Sequence, residues 1–299
     1  MQNLQNPDQQ PSNDEPAKQP ASTHQVSYRT VSANSGSKWL LQAKEMFISS
    51  LSGWFAITLF ISILLIIPKI NLIFSILMPV IIAGLMLGCQ HASEGNRIKF
   101  EHLFAGFKAN KTGLLRLSLI YALLSIFVMI IAKYILLYLG ISLQEYFPEN
   151  INQMNNAQLN QWFIALDKEK FIPDLLISLI IPLTLMIPIF MAYWFAPALV
   201  VIKKMPVVQA LKTSYMACKD NYIAFLFYGL ILFLYLIGFL FILSTISLFI
   251  PPLSLIVMML GYIAFFAISI ISIYTSYIDI FDDSIPTDKT NTNNATMVA

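Results

Sequence analysis

Lys133 is the one basic side chain that falls inside an apolar run of this 299-residue chain, and an amine in that position has three chemical uses. It can serve a transport path, pair with Asp174, or lay its stem along apolar surface while the amine reaches the membrane interface. At the centre of a membrane span such a residue costs about 2.5–3.5 kcal/mol. Each Leu, Ile or Phe of the same run returns about 0.3–0.6 kcal/mol. Lys133 lies towards one end of its run, so the interfacial reading is favoured over pairing and transport. Replacing it with Met is expected to leave folding and abundance nearly unchanged. Severe loss of activity in a normally folded Lys133→Met protein, measured by size-exclusion profile and assay together, would restore the transport role.

No acidic residue falls in the middle of an apolar run, which disfavours a proton- or cation-coupled carrier. His24, His91 and His102 lack metal-ligand spacing and read as surface or interfacial residues. Asp279, Asp282 and Asp283 cluster after the last run, where a solvated helix end outweighs a metal or catalytic site. The sequence shows no Ser/His/Asp arrangement, Walker loop, HExxH or paired-carboxylate motif. Cys89 and Cys218 lack a CxxC spacing and read as reduced thiols. No catalytic, cofactor-binding or metal-ligating residue is therefore assigned, no cofactor is expected, and the chain reads as a non-enzyme.

The elements that would hold these groups are set by composition. With 57% hydrophobic and 11% charged residues, and a mean hydropathy of +0.69, the chain does not read as a soluble domain. Several apolar runs reach the roughly 20 residues needed to cross a ~30 Å hydrocarbon core. Continuous runs of that length must be helices, because lipid offers no partners to backbone N–H and C=O groups. The expectation is an all-α membrane bundle of six transmembrane helices, spanning about 48–67, 70–89, 113–140, 173–202, 222–247 and 252–276. A polar tail, 1–37, precedes this domain (38–283), and a second tail, 284–299, follows it. The first tail has no apolar stretch behind a basic start, so the first span is expected to act as an uncleaved anchor.

All but four of the 18 basic residues fall before the first span, after the last, or in or at the edge of the second-to-third and fourth-to-fifth connections. The exceptions are Lys69, Lys133, Lys168 and Lys170. By the positive-inside rule both termini face the cytoplasm. The net charge of +2 is too small to point to nucleic acid.

A short pattern occurs three times: Leu103-x-x-Gly106-Phe107, Leu211-x-x-Ser214-Tyr215 and Ile273-x-x-Ser276-Tyr277. Each follows a proline-bearing run, with Pro79, Pro188 and Pro252 upstream. The bundle is accordingly read as three hairpin repeats, each ending in a similar turn at the cytoplasmic face. Short amphipathic helices are expected in that headgroup plane. Their apolar stripes are Trp39, Leu40, Ala43 and Phe47; then Phe100, Leu103, Phe104 and Phe107; then Val208, Leu211 and Tyr215. A lysine facing anionic lipid adds about 1 kcal/mol of attraction. The small pattern residues would permit close backbone approach. The third copy differs, with aspartates where lysines follow the others.

Pro79, Pro182, Pro188 and Pro197 predict kinked second and fourth spans. Gly84 and Gly88 form a GxxxG, read as packing within the chain ahead of homodimerisation. On the outer face, Leu159, Trp162, Phe163 and Leu166 are spaced as an amphipathic helix on the leaflet, with a ligand-binding cap as the sharper alternative.

Three segments, Arg29-Thr-Val-Ser-Ala-Asn-Ser-Gly-Ser-Lys-Trp39-Leu40, Trp194-Phe-Ala-Pro-Ala-Leu199 and Tyr274-Thr-Ser-Tyr277-Ile-Asp279-Ile-Phe281, carry a resemblance. Over residues 28–283 the chain resembles an uncharacterised family of proteobacterial multi-pass inner-membrane proteins. That family is distantly similar to the membrane domain of some glycerophosphodiester phosphodiesterases. The resemblance implies a bacterial inner-membrane location and carries over no catalytic residue. No stretch of the sequence reads as the soluble phosphodiesterase domain, so that enzyme's activity is not expected to carry over. The function expected is a non-enzymatic structural, lipid-handling or regulatory membrane component, with a transporter or channel for a small or lipid-like solute as the alternative. Membrane lipids, a second copy or another membrane protein are the expected partners.

Overall fold

The computed structural model describes residues 26–281, and among them every regular element is helical. The order is α1 (Ser35–Ser49), α2 (Leu51–Ile66), α3 (Pro68–Ser93), a 3₁₀ turn (Phe100–Phe104) running into α4 (Ala105–Ala109), and α5 (Lys111–Tyr138). Two further 3₁₀ turns precede α6 (Asn156–Ala165). The chain continues through α7 (Lys168–Trp194), α8 (Ala196–Val201), α9 (Val207–Asp220), α10 (Tyr222–Phe249) and α11 (Pro251–Phe281). Five helical spans are long and apolar enough to cross a membrane, α7 and α8 together making one; α1 with α2 makes a sixth if that pair, bent by 96°, is one span. These are the helices of a membrane-embedded protein.

The first span needs correcting. It was expected over 48–67, but residues 48 and 49 belong to α1 and the chain turns at Ser50. The 16 residues of α2 cover about 24 Å at 1.5 Å per residue, short of a full hydrocarbon core. The elbow is held by Ser50, whose hydroxyl accepts from the Ile98 N–H at 3.3 Å. Pro68 then opens α3, where a missing N–H is harmless.

Most of the span prolines lie inside continuous helices. α3 runs through Pro79, and α7 runs through Pro173, Pro182 and Pro188. The break comes at Phe195, two residues before Pro197, where α7 gives way to α8.

The packed core sits at the end of the bundle where α3 and α11 finish and α5 and α10 begin. Trp39, Trp54, Leu103, Leu114, Leu117, Phe195, Leu199 and Phe281 are fully buried there. This is also the end that carries the lysine- and arginine-rich connections. α3 occupies the middle, touching α2, α4, α5, α8 and α11; α9 lies against α7, and α1 against α10 and α11.

Three expectations about this end change. Residues 26–34 were placed in the polar tail but lie against the core, with Val26, Tyr28 and Val31 packed on it. The third pattern copy does not end in a turn: Ile273, Ser276 and Tyr277 lie inside continuous α11. The buried side of α9 is Ala210, Ser214, Ala217 and Cys218, and Val208 is 74% exposed. Close packing on α7 selects small side chains over the bulky stripe. Similarly, the first copy buries Leu103 and Gly106, while Phe100 and Phe104 lie partly open and stack around Phe60. The inward positions are the ones that meet α3, where Gly106 lies against the Val80 carbonyl and the Gly84 N. The GxxxG packs within the chain: a Cβ at Gly84 would stand 2.5 Å from the His102 carbonyl oxygen, and one at Gly88 2.9 Å from its Cβ.

Candidate functional site

The segments 29–40, 194–199 and 274–281 meet at one place. At its centre is Asp279, near the end of α11. Its Oδ1 accepts from Arg29 Nη2 at 2.8 Å and its Oδ2 from Trp39 Nε1 at 2.8 Å. Arg29 Nε also donates to the Asp279 carbonyl. The ion pair is mostly shielded, with 21% and 24% of the two side chains exposed. Asp279 is thus a latch rather than the solvated helix end expected. Asp282, Asp283 and His24 lie outside the described residues.

A second support holds the same segment from the other side. Asn221, between α9 and α10 and 2% exposed, accepts from the Val31 N–H at 2.7 Å and donates to the Arg29 and Ala217 carbonyls at 3.1 and 2.9 Å. Its amide thereby bonds both an N–H and a carbonyl of the irregular segment 29–31. The Arg29 N–H reaches the Ile280 carbonyl at 3.0 Å, and Tyr28 donates to Asp220 at 2.7 Å. Burial, then the bond to Asp220, push the Tyr28 hydroxyl well above its ordinary range, so it remains a donor. Thr275 fixes the other end by donating to the Trp39 carbonyl at 3.0 Å. Beneath this layer Phe195 packs on Phe225, Tyr277 and Phe281, and Phe225 contacts Trp39 and Trp194.

Ser214, the small residue of the second pattern copy, explains the break in α7. In an uninterrupted helix the Phe195 N–H would bond the Met191 carbonyl. Instead the Ser214 hydroxyl sits between them, accepting from Phe195 N at 3.0 Å and donating to Met191 O at 2.8 Å. A side chain inserted into the helical ladder is a recognised cause of a kink. Ser214→Ala should leave two buried backbone groups unpaired. The expected destabilisation is about 1–3 kcal/mol, seen as a lower unfolding temperature in detergent; an unchanged value would show that α7 and α8 close the gap themselves.

The structure brings together two histidines that spacing kept apart. The His91 and His102 rings are 5.4 Å apart, and His91 Nδ1 is buried without a hydrogen-bond partner. His102 Nδ1 meets the Lys99 N–H at 2.9 Å. Burial lowers the His102 pKa from its ordinary 6.5, and the charges of His91 and Lys99 lower it further, against the Lys99 carbonyl and Glu101, which raise it. The folded state therefore binds this proton less well than the unfolded chain. Stability is intact above pH 6.5 and declines as pH falls below that value. His102→Gln should flatten this part of a curve of unfolding temperature against pH, and an unaltered slope would remove His102 from the account.

Among the described residues no three His, Cys, Asp or Glu side chains gather to hold a metal. Cys89 and Cys218 are free and buried. Lys133 is exposed beside a shallow groove with Ser125, Ile126, Met129 and Ile130. Asp174 does not pair with it and instead accepts from the Tyr146 hydroxyl, a bond that pushes Tyr146 up to about 12. In the same loop α6 forms as expected, but Trp162 turns back to donate to the Tyr146 carbonyl at 3.0 Å and pack on Phe147. Phe163 and Ile164 stay exposed.

Comparison of the chain with protein-family models, curated proteins and solved structures returns no match. The sequence reading had Arg29, Trp39 and Asp279 in hand but not their union. Asn221 carries no signal in the sequence, since its role exists only once residues 29–31 lie beside it.

Proposed function

We propose that this chain is an integral protein of the bacterial inner membrane, with both termini cytoplasmic, that works without enzymatic chemistry as a lipid-handling component. One observation carries this reading: the bundle is sealed at its basic end and parts towards the other. In α10 the five consecutive residues Phe233, Leu234, Tyr235, Leu236 and Ile237 are each at least 40% exposed. Five successive residues point in every direction around a helix, so α10 is open on every side there, and Phe239 next reaches Gly261 of α11. Leu255, Ile256, Met258, Met259 and Leu260 of α11 are open as well. Acyl chains are the natural cover for such surface.

The buried polar residues in the core, among them Thr58, Ser118, Ser214, Asn221 and Thr275, are uncharged, which supports a closed apolar core over a transport path. The resemblance of residues 28–283 to the inner-membrane family supports the location. The three-hairpin arrangement is part of the same reading. In it, α4 lies on the hairpin α2–α3 and α9 on α5–α7, while α1 takes the equivalent place on α10–α11. There a Cβ at Gly36 would stand 2.7 Å from the Ala224 carbonyl oxygen. The third pattern copy then needs no turn, because its surface helix comes from the N-terminal side.

Purification in native lipid particles, with mass spectrometry of what comes along, tests the function. Co-purification of bound phospholipid is expected. Solute-dependent flux in vesicles reconstituted with the protein would overturn the reading in favour of a transporter.

A further inference from the structure

A cleft of about 600 Å³ opens at the basic end, between the start of α5 and the link from α8 to α9. Its rim is polar and cationic: Asn110, Thr112, Arg116 and Lys204. Its lower wall is apolar, formed by Leu119, Ile120 and Val208 among others. From Asn110 to Leu119 the wall descends nine residues of α5, about 14 Å at the helical rise. We propose that this cleft is a binding site for one anionic phospholipid, its phosphate held by Arg116 and Lys204 and the start of its acyl chains on Leu119, Ile120 and Val208. The inference rests on the lipid-handling reading and gives it a place.

Four observations converge. Arg116 and Lys204 come from separate elements and line the same cleft, and no acidic residue lines it. The Arg29–Asp279 and Lys99–Glu101 ion pairs draw on neither cleft cation, and no carboxylate in the cleft neutralises them. Guanidinium forks match phosphate oxygens bidentately. Asn110 uses Oδ1 to cap the Gly113 N–H at 3.0 Å, which leaves its amide NH₂ as a further donor at the rim.

The second observation is the conformation of Lys204, whose φ of 53° makes it the one non-glycine residue with positive φ among those described. Glycine is the ordinary choice there because a Cβ is strained in that region. The following residue is tied back, Met205 N–H donating to the Leu199 carbonyl at 3.1 Å, so the turn sets Lys204 at the rim. The third is the exposure of the wall. Leu119 is 59% and Val208 74% exposed, and α9 turns Val208 away from its packed face. The fourth is sidedness: cations above and aliphatic side chains below reproduce the polarity of a phospholipid, whereas a site for free phosphate needs no apolar wall.

The test uses the full-length protein in nanodiscs made from phosphatidylglycerol and phosphatidylcholine in equal amounts, followed by native mass spectrometry of the lipid retained on detergent release. The wild type is expected to retain phosphatidylglycerol about tenfold over phosphatidylcholine. The variant Arg116→Ala/Lys204→Ala should retain the two nearly equally, whereas the charge-matched control Lys168→Ala/Lys170→Ala should behave as wild type. Val208→Asp, a change on exposed surface, should also abolish the preference. Unchanged selectivity in the double variant, with lipid still retained, overturns this site and leaves the lipid-handling reading standing. Absence of retained lipid on the wild type defeats the broader reading itself. A thermal shift with inorganic phosphate equal to that with phosphatidylglycerol would overturn the lipid assignment in favour of a phosphate site.

Discussion

Asp279→Ala should release the N-terminal segment from the bundle and lower stability by about 3 kcal/mol, the figure for stranding one partner of a buried ion pair. The lower end of that range applies because each side chain keeps about a fifth of its surface exposed. Two donors lose the carboxylate at once, Arg29 Nη2 and the Trp39 indole N–H, while Arg29 Nε keeps the Asp279 backbone carbonyl. Trp39 is 1% exposed and cannot turn to water without leaving Phe225. Asp279→Asn should be milder, since an amide oxygen can still accept from one donor while the charge is lost. Two measurements check this: unfolding temperature in detergent, and trypsin cleavage after Arg29, which should be rapid in the Ala variant and slow in wild type. A double-mutant cycle with Arg29→Ala should give a coupling of about 1–3 kcal/mol. Wild-type stability and cleavage in Asp279→Ala would show that Asn221 and the backbone bonds hold the segment without the ion pair.

The helices were legible because membrane helices announce themselves in one dimension. An apolar run of 28 residues such as α10 has no other stable form in lipid, and its bounds, 222–249 in the structure, differ little from the 222–247 expected. What hydropathy could not convey was which short segment lies on which long one. Residues 26–34 look like the rest of a polar tail, since Arg29 is a surface residue until an acid 250 positions away closes on it. α2 was overextended for a related reason: Ile48 is apolar, but the chain turns at Ser50 because of a contact with Ile98. The apolar stripe of α9 misled because hydrophobic periodicity identifies the greasy side of a helix. Against another backbone the inward side is the small one. Lys204 shows the same limit for the site. Its charge is plain in the sequence, whereas its left-handed backbone and its place in one cleft with Arg116 are properties of the folded link.

Gly106→Ala is expected to damage the protein severely, because the added carbon has nowhere to go. A Cβ at Gly106 would overlap the Val80 carbonyl oxygen and stand 3.1 Å from the Gly84 N atom. Both are backbone atoms of α3, the helix at the middle of the bundle, so no side chain can rotate away. α4 must instead lift off α3, taking Leu103, which is 1% exposed, and the His102 contact with Gly88. Overpacking a core costs about 1–3 kcal/mol, and here the shift of a whole element puts the expectation at the upper end. Gly84→Ala meets the same interface from the other side, 2.5 Å from the His102 carbonyl oxygen, so the two changes should be non-additive when combined. Gly229 provides the contrast. It lies within α10 with nothing within 4 Å of an added Cβ, so Ala there should be neutral or stabilising by up to about 1 kcal/mol. The measurement is the unfolding temperature of all four proteins in one detergent. Equal losses at Gly106 and Gly229 would mean that helix propensity governs both. A loss confined to Gly106 and Gly84 places the limit on α4 docking in the α3 backbone itself.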